Sequence, residues 1–205
     1  DSGLEIIVTA QRRAESLERT PISVSVLNAD VMKKQALTTE TDLQAMVPGL
    51  TVRATANGNN LNYAIRGQSL DAFSVSPPGV LGYVNEVSVF GNGASNFYDL
   101  QSEQVVKGPQ GTLFGRNSTG GAVLFTTTKP TEEFEGYVTV RGGNYDLRHI
   151  DGAINIPLAT DQLLLRVAGV YEKRDGYQRN LFDGGRLGNV NRYGMRGSLT
   201  MNFSE

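Results

Sequence analysis

Two hydrophobic patterns divide the chain near Pro130. Beyond it, four segments of about ten residues (136–145, 147–157, 163–173 and 192–203) are separated by turn residues. In the third, Leu163, Leu165, Val167, Gly169 and Tyr171 share one face, and Leu164, Arg166, Ala168, Val170 and Glu172 the other. In the fourth, Tyr193, Met195, Gly197, Leu199, Met201 and Phe203 oppose Gly194, Arg196, Ser198, Thr200 and Asn202. A period of two belongs to extended strands, and segments of this length are the signature of strands that cross a membrane. A soluble β-sandwich with one buried face alternates in the same way, so periodicity alone leaves both readings open. Tyr193 and Phe203, at the two ends of the last segment, favour the membrane, where aromatic girdles mark the interfaces.

Ahead of Pro130 the pattern is shorter and mixed. Ile22, Val24 and Val26 alternate with Ser23 and Ser25, which predicts a strand. Two short helices follow: Asn28 or Asp30 caps the first, and Thr39 with Asp42 resembles a capping box for the second. The second helix is expected to stop at Val47, because Pro48 and Gly49 come next. Short strands are predicted at 50–53, 63–66, 82–89, 104–107 and 122–127, between loops at 54–62, 67–81 and 90–102 that are rich in Asn, Gly and Ser. Residues 1–20 read as an extended arm, with a β-branched run over 5–10.

Composition sharpens this picture by exclusion. The 19 basic and 21 acidic side chains nearly cancel, which leaves no basic footprint for nucleic acid. The absence of cysteine rules out disulfides, thiolate metal sites and cysteine nucleophiles. The 24 glycines exceed the roughly 14 of average usage and point to many turns and strand bends. No run approaches the ~20 apolar residues of a membrane helix, and no leader sequence opens the chain; an exported protein would have lost its leader before residue 1. His149, the single histidine, offers neither a multi-histidine metal site nor a catalytic triad, and reads as a residue facing solvent or a lumen. Gly115 and Gly120 have phosphate-loop spacing, but Gly121 and Ala122 stand where Lys and Ser or Thr are required. Neither an enzyme nor a bound cofactor is expected.

Several motifs stand in a fixed order: Glu5-Ile6-Ile7-Val8-Thr9-Ala10-Gln11-Arg12-Arg13, Val47-Pro48-Gly49-Leu50, Ile65-Arg66-Gly67, and Gly108-Pro109-Gln110-Gly111-Thr112-Leu113-Phe114-Gly115-Arg116-Asn117 running on to Ala122. Thr128-Lys129-Pro130, Gly143-Asn144-Tyr145 and Arg174-Asp175-Gly176-Tyr177 follow. Together they resemble the TonB-dependent outer-membrane receptors over nearly the whole chain. Two places depart from the family's usual pattern: Tyr83-Val84-Asn85-Glu86-Val87 stands where Tyr-Val-Asp-Gly-Val is common, and Gln104 where a Glu is common.

The resemblance implies an α+β plug domain, a small mixed sheet with short helices, followed by antiparallel transmembrane β-strands of an incomplete 22-stranded barrel. It implies a division into a TonB-box arm at 1–20, a plug at 21–130 and the first barrel strands at 131–205. Four strands are fewer than the roughly eight of the smallest outer-membrane barrel, so the chain is expected to be part of a longer protein. The implied function is TonB-dependent uptake of a scarce ligand, foremost a ferric siderophore or similar iron complex, across the bacterial outer membrane. A receptor that signals, or uptake of cobalamin or glycans, is the alternative. Only four residues precede Glu5, so a signalling extension finds no support here. The implied partners are TonB, a small-molecule ligand and outer-membrane lipid, and no nucleic acid. The implied TonB-binding strand is Glu5, Ile6, Ile7, Val8, Thr9 and Ala10. Arg66, Lys107 and Arg116 are the expected plug–barrel contacts, with the glycines of 108–121 packing the plug against the barrel wall. Asn59, Tyr63, Phe73, Asn96, Phe97 and Tyr98 are the expected ligand contacts, since amide and aromatic side chains suit ligands rich in oxygen.

Overall fold

The computed structural model of the protein describes residues 7–8, 15–16, 21–54, 61–69, 78–89, 97–159 and 162–203, in two compact units, Asp1–Thr127 and Thr128–Glu205. In the first unit, β1 (Ile7–Val8) pairs antiparallel with β2 (Glu15–Ser16). A five-stranded sheet then forms from β3 (Ser23–Asn28), β6 (Val80–Val84), β7 (Val87–Val89), β8 (Leu100–Lys107) and β9 (Gly121–Thr127), in the order β3-β8-β9-β6-β7. Only the β6–β9 pairing within it is parallel. A hairpin of β4 (Leu50–Ala54) and β5 (Leu61–Ile65) packs beside it.

Local chemistry sets the short helices. Asn28 accepts the Val31 N–H at 2.9 Å and caps α1 (Ala29–Lys34), whose last turn carries Lys33 and Lys34 against the helix dipole. The Asp42 carboxylate accepts the N–H groups of Thr38 and Thr39 and starts the predicted second helix, which is a 3-10 helix (Glu40–Ala45). A third helix that the pattern did not announce, α2 (Gly111–Phe114), sits inside the glycine-rich motif.

The sheet buries both of its faces. Leu27, Met32, Leu43, Val47, Leu50, Tyr63, Ile65, Val105, Val123 and Phe125 form one core, and Tyr83, Val106, Phe114, Ala122 and Leu124 the other. Each fully buried Val, Leu or Ile contributes ~1.5–3 kcal/mol. Residues 82–89, expected as one strand, are two strands joined by a turn at Asn85 and Glu86, both at positive φ (47° and 70°). That backbone usually calls for glycine at the second position. Here Asn85 anchors the turn instead: its Nδ2 donates to Thr127 Oγ1 at 2.9 Å and its Oδ1 accepts the Thr127 N–H at 3.0 Å.

The second unit is an antiparallel sheet, β10 (Glu135–Gly143), β11 (Leu147–Ala159), β12 (Leu163–Arg174) and β15 (Val190–Met201), paired in that order. Between β12 and β15 lies a small hairpin, β13 (Gln178–Arg179) with β14 (Arg186–Leu187), which the sequence pattern did not announce. The register places Val140, Ile150, Tyr171 and Tyr193 in one row, and Ile156, Leu165 and Leu199 in another on the same face. On that face Val138 is 73% exposed, Tyr193 83% and Met195 82%. The opposite face carries the row Arg141, His149, Glu172 and Arg192, and the row Glu135, Asn155, Arg166 and Ser198. His149, Asn155, Arg166 and Glu172 are buried. Large apolar side chains are therefore presented outward and charged ones inward, the arrangement of a barrel wall facing lipid with a polar interior.

Candidate functional site

The motifs at 47–50, 65–67 and 108–121 meet in space. Gly49 accepts the Arg66 N–H at 3.0 Å, and Leu50 pairs with Ile65. Arg66 and Gly67 turn the chain at positive φ (52° and 81°), closed by the Gln68 N–H on the Ile65 carbonyl at 2.9 Å. The 108–121 loop is closed from within: the Gly108 N–H donates to Gly120 at 3.0 Å, the Gln110 N–H to Ser118 at 2.9 Å, and Ser118 Oγ to the Gly115 carbonyl at 2.7 Å. The Tyr83 hydroxyl fixes α2 by donating to the Phe114 carbonyl at 3.0 Å. Gly121 sits at φ 138° against the Val106 carbonyl and the Ile65 side chain, where any Cβ would collide with backbone. Gly120 and Gly121 are the closely packed glycines of this motif, against Gln68, Val80, Val106 and Ile65 of the plug; a Cβ at Gly108, Gly111 or Gly115 would meet nothing within 4 Å.

Arg66 and Arg116 are exposed on this unit and Lys107, at the end of β8, is half-buried. Of the expected coupling strand, Ile7 and Val8 are extended and paired with Ser16 and Glu15, while Glu5, Ile6, Thr9 and Ala10 lie outside the described residues. Asn59, Phe73 and Asn96 also lie outside them. Tyr63 and Tyr98, expected among the ligand contacts, are buried. Phe97 packs half-buried on the first core, edge-on to Phe125 with centroids 6.4 Å apart. These rings bury apolar area that a ligand-facing position would leave in water.

The reason for Tyr63 is a buried polar group. Its hydroxyl donates to Glu40 Oε2, at the first turn of the 3-10 helix. Glu103, on β8, faces the same core as Val105, has no exposed surface, and neither carboxylate oxygen has a hydrogen-bond partner. Burial first, and the neighbouring Glu40 second, push the Glu103 carboxyl well above the usual carboxylate range. Burial and Glu40 likewise raise the Tyr63 hydroxyl. The sequence shows Gln104 where a Glu is common; that the adjacent Glu103 would be buried beside the like charge of Glu40 had no local signal, because Glu40 lies far away in the chain.

The inner face of the second unit carries a charged network. His149 Nδ1 lies 2.9 Å from Glu172 Oε2, and its Nε2 lies 2.9 Å from Asp151 Oδ1. Arg192 reaches the same Glu172 oxygen at 2.8 Å, and Arg141 lies 3.6 Å from Asp151. His149 is thus held between two carboxylates on the inner face, where a solvent- or lumen-facing residue was expected. Asn155 clamps the entry to the sheet, accepting the Thr131 N–H at 2.9 Å and donating to the Thr131 carbonyl at 2.7 Å. Among the described residues, no group of three or more His, Cys, Asp or Glu could hold a metal ion.

The family model described as the TonB-dependent Receptor Plug Domain matches residues 16–122, more than half of the chain. The chain belongs to that family. The ferripyoverdine receptor of Pseudomonas aeruginosa is 29% identical over 179 residues, which cover 84% of this chain and 22% of that protein. The ferrioxamine B receptor of Salmonella typhimurium is 26% identical over 191 residues, covering 91% of this chain and 26% of its own. Among solved structures, the ferric yersiniabactin uptake receptor of Yersinia pestis superposes with a TM-score of 0.78 at 24% identity, over 87% of this chain and 28% of that one. The chain spans roughly a fifth to a quarter of the length of these curated relatives. It joins a plug of mixed sheet and few helices to antiparallel barrel strands, as those structures do.

Proposed function

We propose that the complete protein is an outer-membrane receptor that imports a scarce iron complex, with the plug gating the barrel and TonB supplying the work through residues 5–10. The observation that carries this reading is the junction of a plug of this family to strands whose apolar side chains face outward. The names of the relatives, receptors of ferripyoverdine and ferrioxamine B, support iron complexes over other cargo. In this reading the arm is 1–20, the plug 21–130 and the barrel strands 131–205. Arg66, Lys107 and Arg116 face carboxylates on parts of the barrel wall beyond these four strands; Glu172 and Asp151 already have partners on their own sheet. The longer connection between β12 and β15 faces the outside, and the short turn between β11 and β12 faces the periplasm.

The outer membrane holds no ATP and no sustained ion gradient, so work arrives mechanically. A strand that adds to a sheet edge bears load through several backbone hydrogen bonds, and Ile7–Val8 is already extended. Proline removes a donor and fixes φ. Ile7→Pro is expected to abolish accumulation of iron complex by energised cells while leaving binding to de-energised cells intact; Ile7→Val is expected to be nearly silent. Normal accumulation by Ile7→Pro, or equal failure of both variants, would contradict this coupling strand.

A further inference from the structure

Glu40, Tyr63 and Glu103 meet inside the first core of the plug, and each comes from a different element. Glu40 stands in the first turn of the 3-10 helix, Tyr63 on β5 and Glu103 on β8. Glu103 is level with Leu27 on β3 and Phe125 on β9, so its side chain leaves the sheet on the face that the helix and the β4–β5 hairpin cover. Tyr63 comes down on that same face. A Cβ at Gly82 of β6 would meet its ring at 3.3 Å, so the glycine gives the ring room to reach Glu40.

The two carboxyl groups are not equally provided for. The Tyr63 hydroxyl donates to Glu40 Oε2, which stabilises negative charge on Glu40. Glu103 is 0% exposed, and among the described residues neither of its oxygens has a hydrogen-bond partner. Leu27 and Phe125 flank it on the sheet. Asp42, on the helix above, is turned to the N–H groups of Thr38 and Thr39, and Gln104 lies on the opposite face of the sheet with Leu124. Two carboxylates enclosed in one apolar core do not both ionise. The charge therefore belongs on Glu40, which has a donor, and the proton on Glu103, which has none. Burial first, and Glu40 second, raise the Glu103 carboxyl in keeping with this assignment.

We propose that Glu40, Tyr63 and Glu103 form a proton-held latch between the two layers of the plug: the proton on Glu103 keeps helix and hairpin seated on the sheet, and its loss to water releases them. Without that proton Glu103 is a second, unpaired negative charge beside Glu40 in a space closed to solvent. Such a charge is relieved only when the layer lifts and water reaches both carboxylates. The lifting layer carries Gly49 and Arg66, joined by the Arg66 N–H on the Gly49 carbonyl at 3.0 Å, so the motifs at 47–50 and 65–67 move together. The sheet stays, because β3, β8 and β9 are joined by their own ladders. The latch belongs to the plug and holds whichever cargo the complete receptor carries.

The test is amide hydrogen exchange, read by mass spectrometry on the complete receptor in detergent, with each rate corrected for the pH dependence of exchange in unstructured peptide. One proton released per opening makes opening about tenfold easier per pH unit, from the ordinary carboxylate range up to the raised value of the closed state. Protection over 40–54 and 61–66 is expected to fall at least about tenfold from about pH 5 to about pH 7, while protection over 100–107 and 121–127 stays nearly constant. Glu103→Gln is expected to give a flat profile over 40–54 and 61–66. Glu103→Leu, which puts an apolar group into the same core, is expected to be flat as well and serves if the glutamine variant misfolds. Glu40→Gln removes the like charge and leaves the burial, so it is expected to reduce the fall without abolishing it. A pH-independent parent, an undiminished fall in either folded Glu103 variant, an undiminished fall in Glu40→Gln, or a loss of protection spread equally over layer and sheet overturns the latch.

Discussion

In the plug, Leu43, Ile65, Val105 and Val106 are sealed from solvent, while Arg66 and Arg116 stand in the open. In the four-stranded sheet the relation inverts. There Val138, Val140, Tyr193 and Met195 are exposed, while His149, Asn155, Arg166 and Glu172 are buried. Both units use the same elementary rule, that apolar surface leaves water, but they answer to different solvents. The plug makes its own core between sheet and helices. The strands turn their apolar side to lipid and satisfy their charges among themselves, so sequences of similar hydrophobicity yield opposite surfaces.

The largest expected effect contrasts one glycine from each unit. Gly121→Val places a side chain against the Val106 carbonyl at a φ of 138°, and is expected to cost more than about 4 kcal/mol and leave the plug protease-sensitive in the purified receptor. Gly197, on the outward face of β15, has open space around its missing Cβ. Gly197→Val is expected to change stability by no more than about 0.5 kcal/mol. Equal sensitivity of the two variants to limited proteolysis would erase the contrast.

Charge on the outward face comes next. Leu199→Arg is expected to reduce the heat-resistant folded barrel on a gel, because Leu199 faces lipid; it lies two residues from the end of β15, so the cost falls below the ~2–4 kcal/mol of an arginine at the midplane. Ser198 faces inward but lies directly opposite Arg166, so an arginine there would add like-charge repulsion. Thr200, opposite Leu164 on the inner face, is the better control, and Thr200→Arg is expected to assemble normally. Failure of both to the same degree would mean that the two faces do not see different solvents.

The smallest effect is a pH dependence confined to the plug. Glu103 has its folded-state pKa raised, by burial first and by Glu40 second, so the folded state favours the protonated acid. Its contribution is therefore most favourable below the unfolded carboxylate range and is lost as pH rises towards the folded value. Protease resistance of the plug is expected to fall with rising pH above the ordinary carboxylate range in the parent, and to fall less in Glu103→Gln. Identical pH profiles would show that Glu103 carries no buried proton.

The last two long barrel strands were legible because a period of two repeats over them, and their register follows from keeping one apolar face; the first two were read from their length and the turn residues between them. The caps at Asn28 and Asp42 were legible for the same reason, since their partners lie three or four residues away. Long-range polar pairs were not. Tyr63 finds Glu40 at a separation of 23 residues, and His149 finds Glu172 at the same separation across a strand pair. The turn at Asn85 and Glu86 was hidden because no glycine marks its left-handed backbone, and the side-chain anchor on Thr127 lies 42 residues on. The β13–β14 hairpin was hidden because two-residue strands carry no periodicity.

The inversion itself can be read position by position, since the chain contains no cysteine and each one introduced reports alone on a background cleared of any elsewhere in the receptor. Single cysteines along 190–201 of the complete receptor, spin-labelled in bilayers, are exposed in turn to oxygen, which concentrates in lipid, and to a water-soluble nickel complex. Oxygen accessibility is expected to peak at 193, 195, 197, 199 and 201 and to fall at 192, 194, 196, 198 and 200. A profile without a period of two, or one shifted by a single residue, would contradict the assignment of this sheet to a membrane-facing barrel wall.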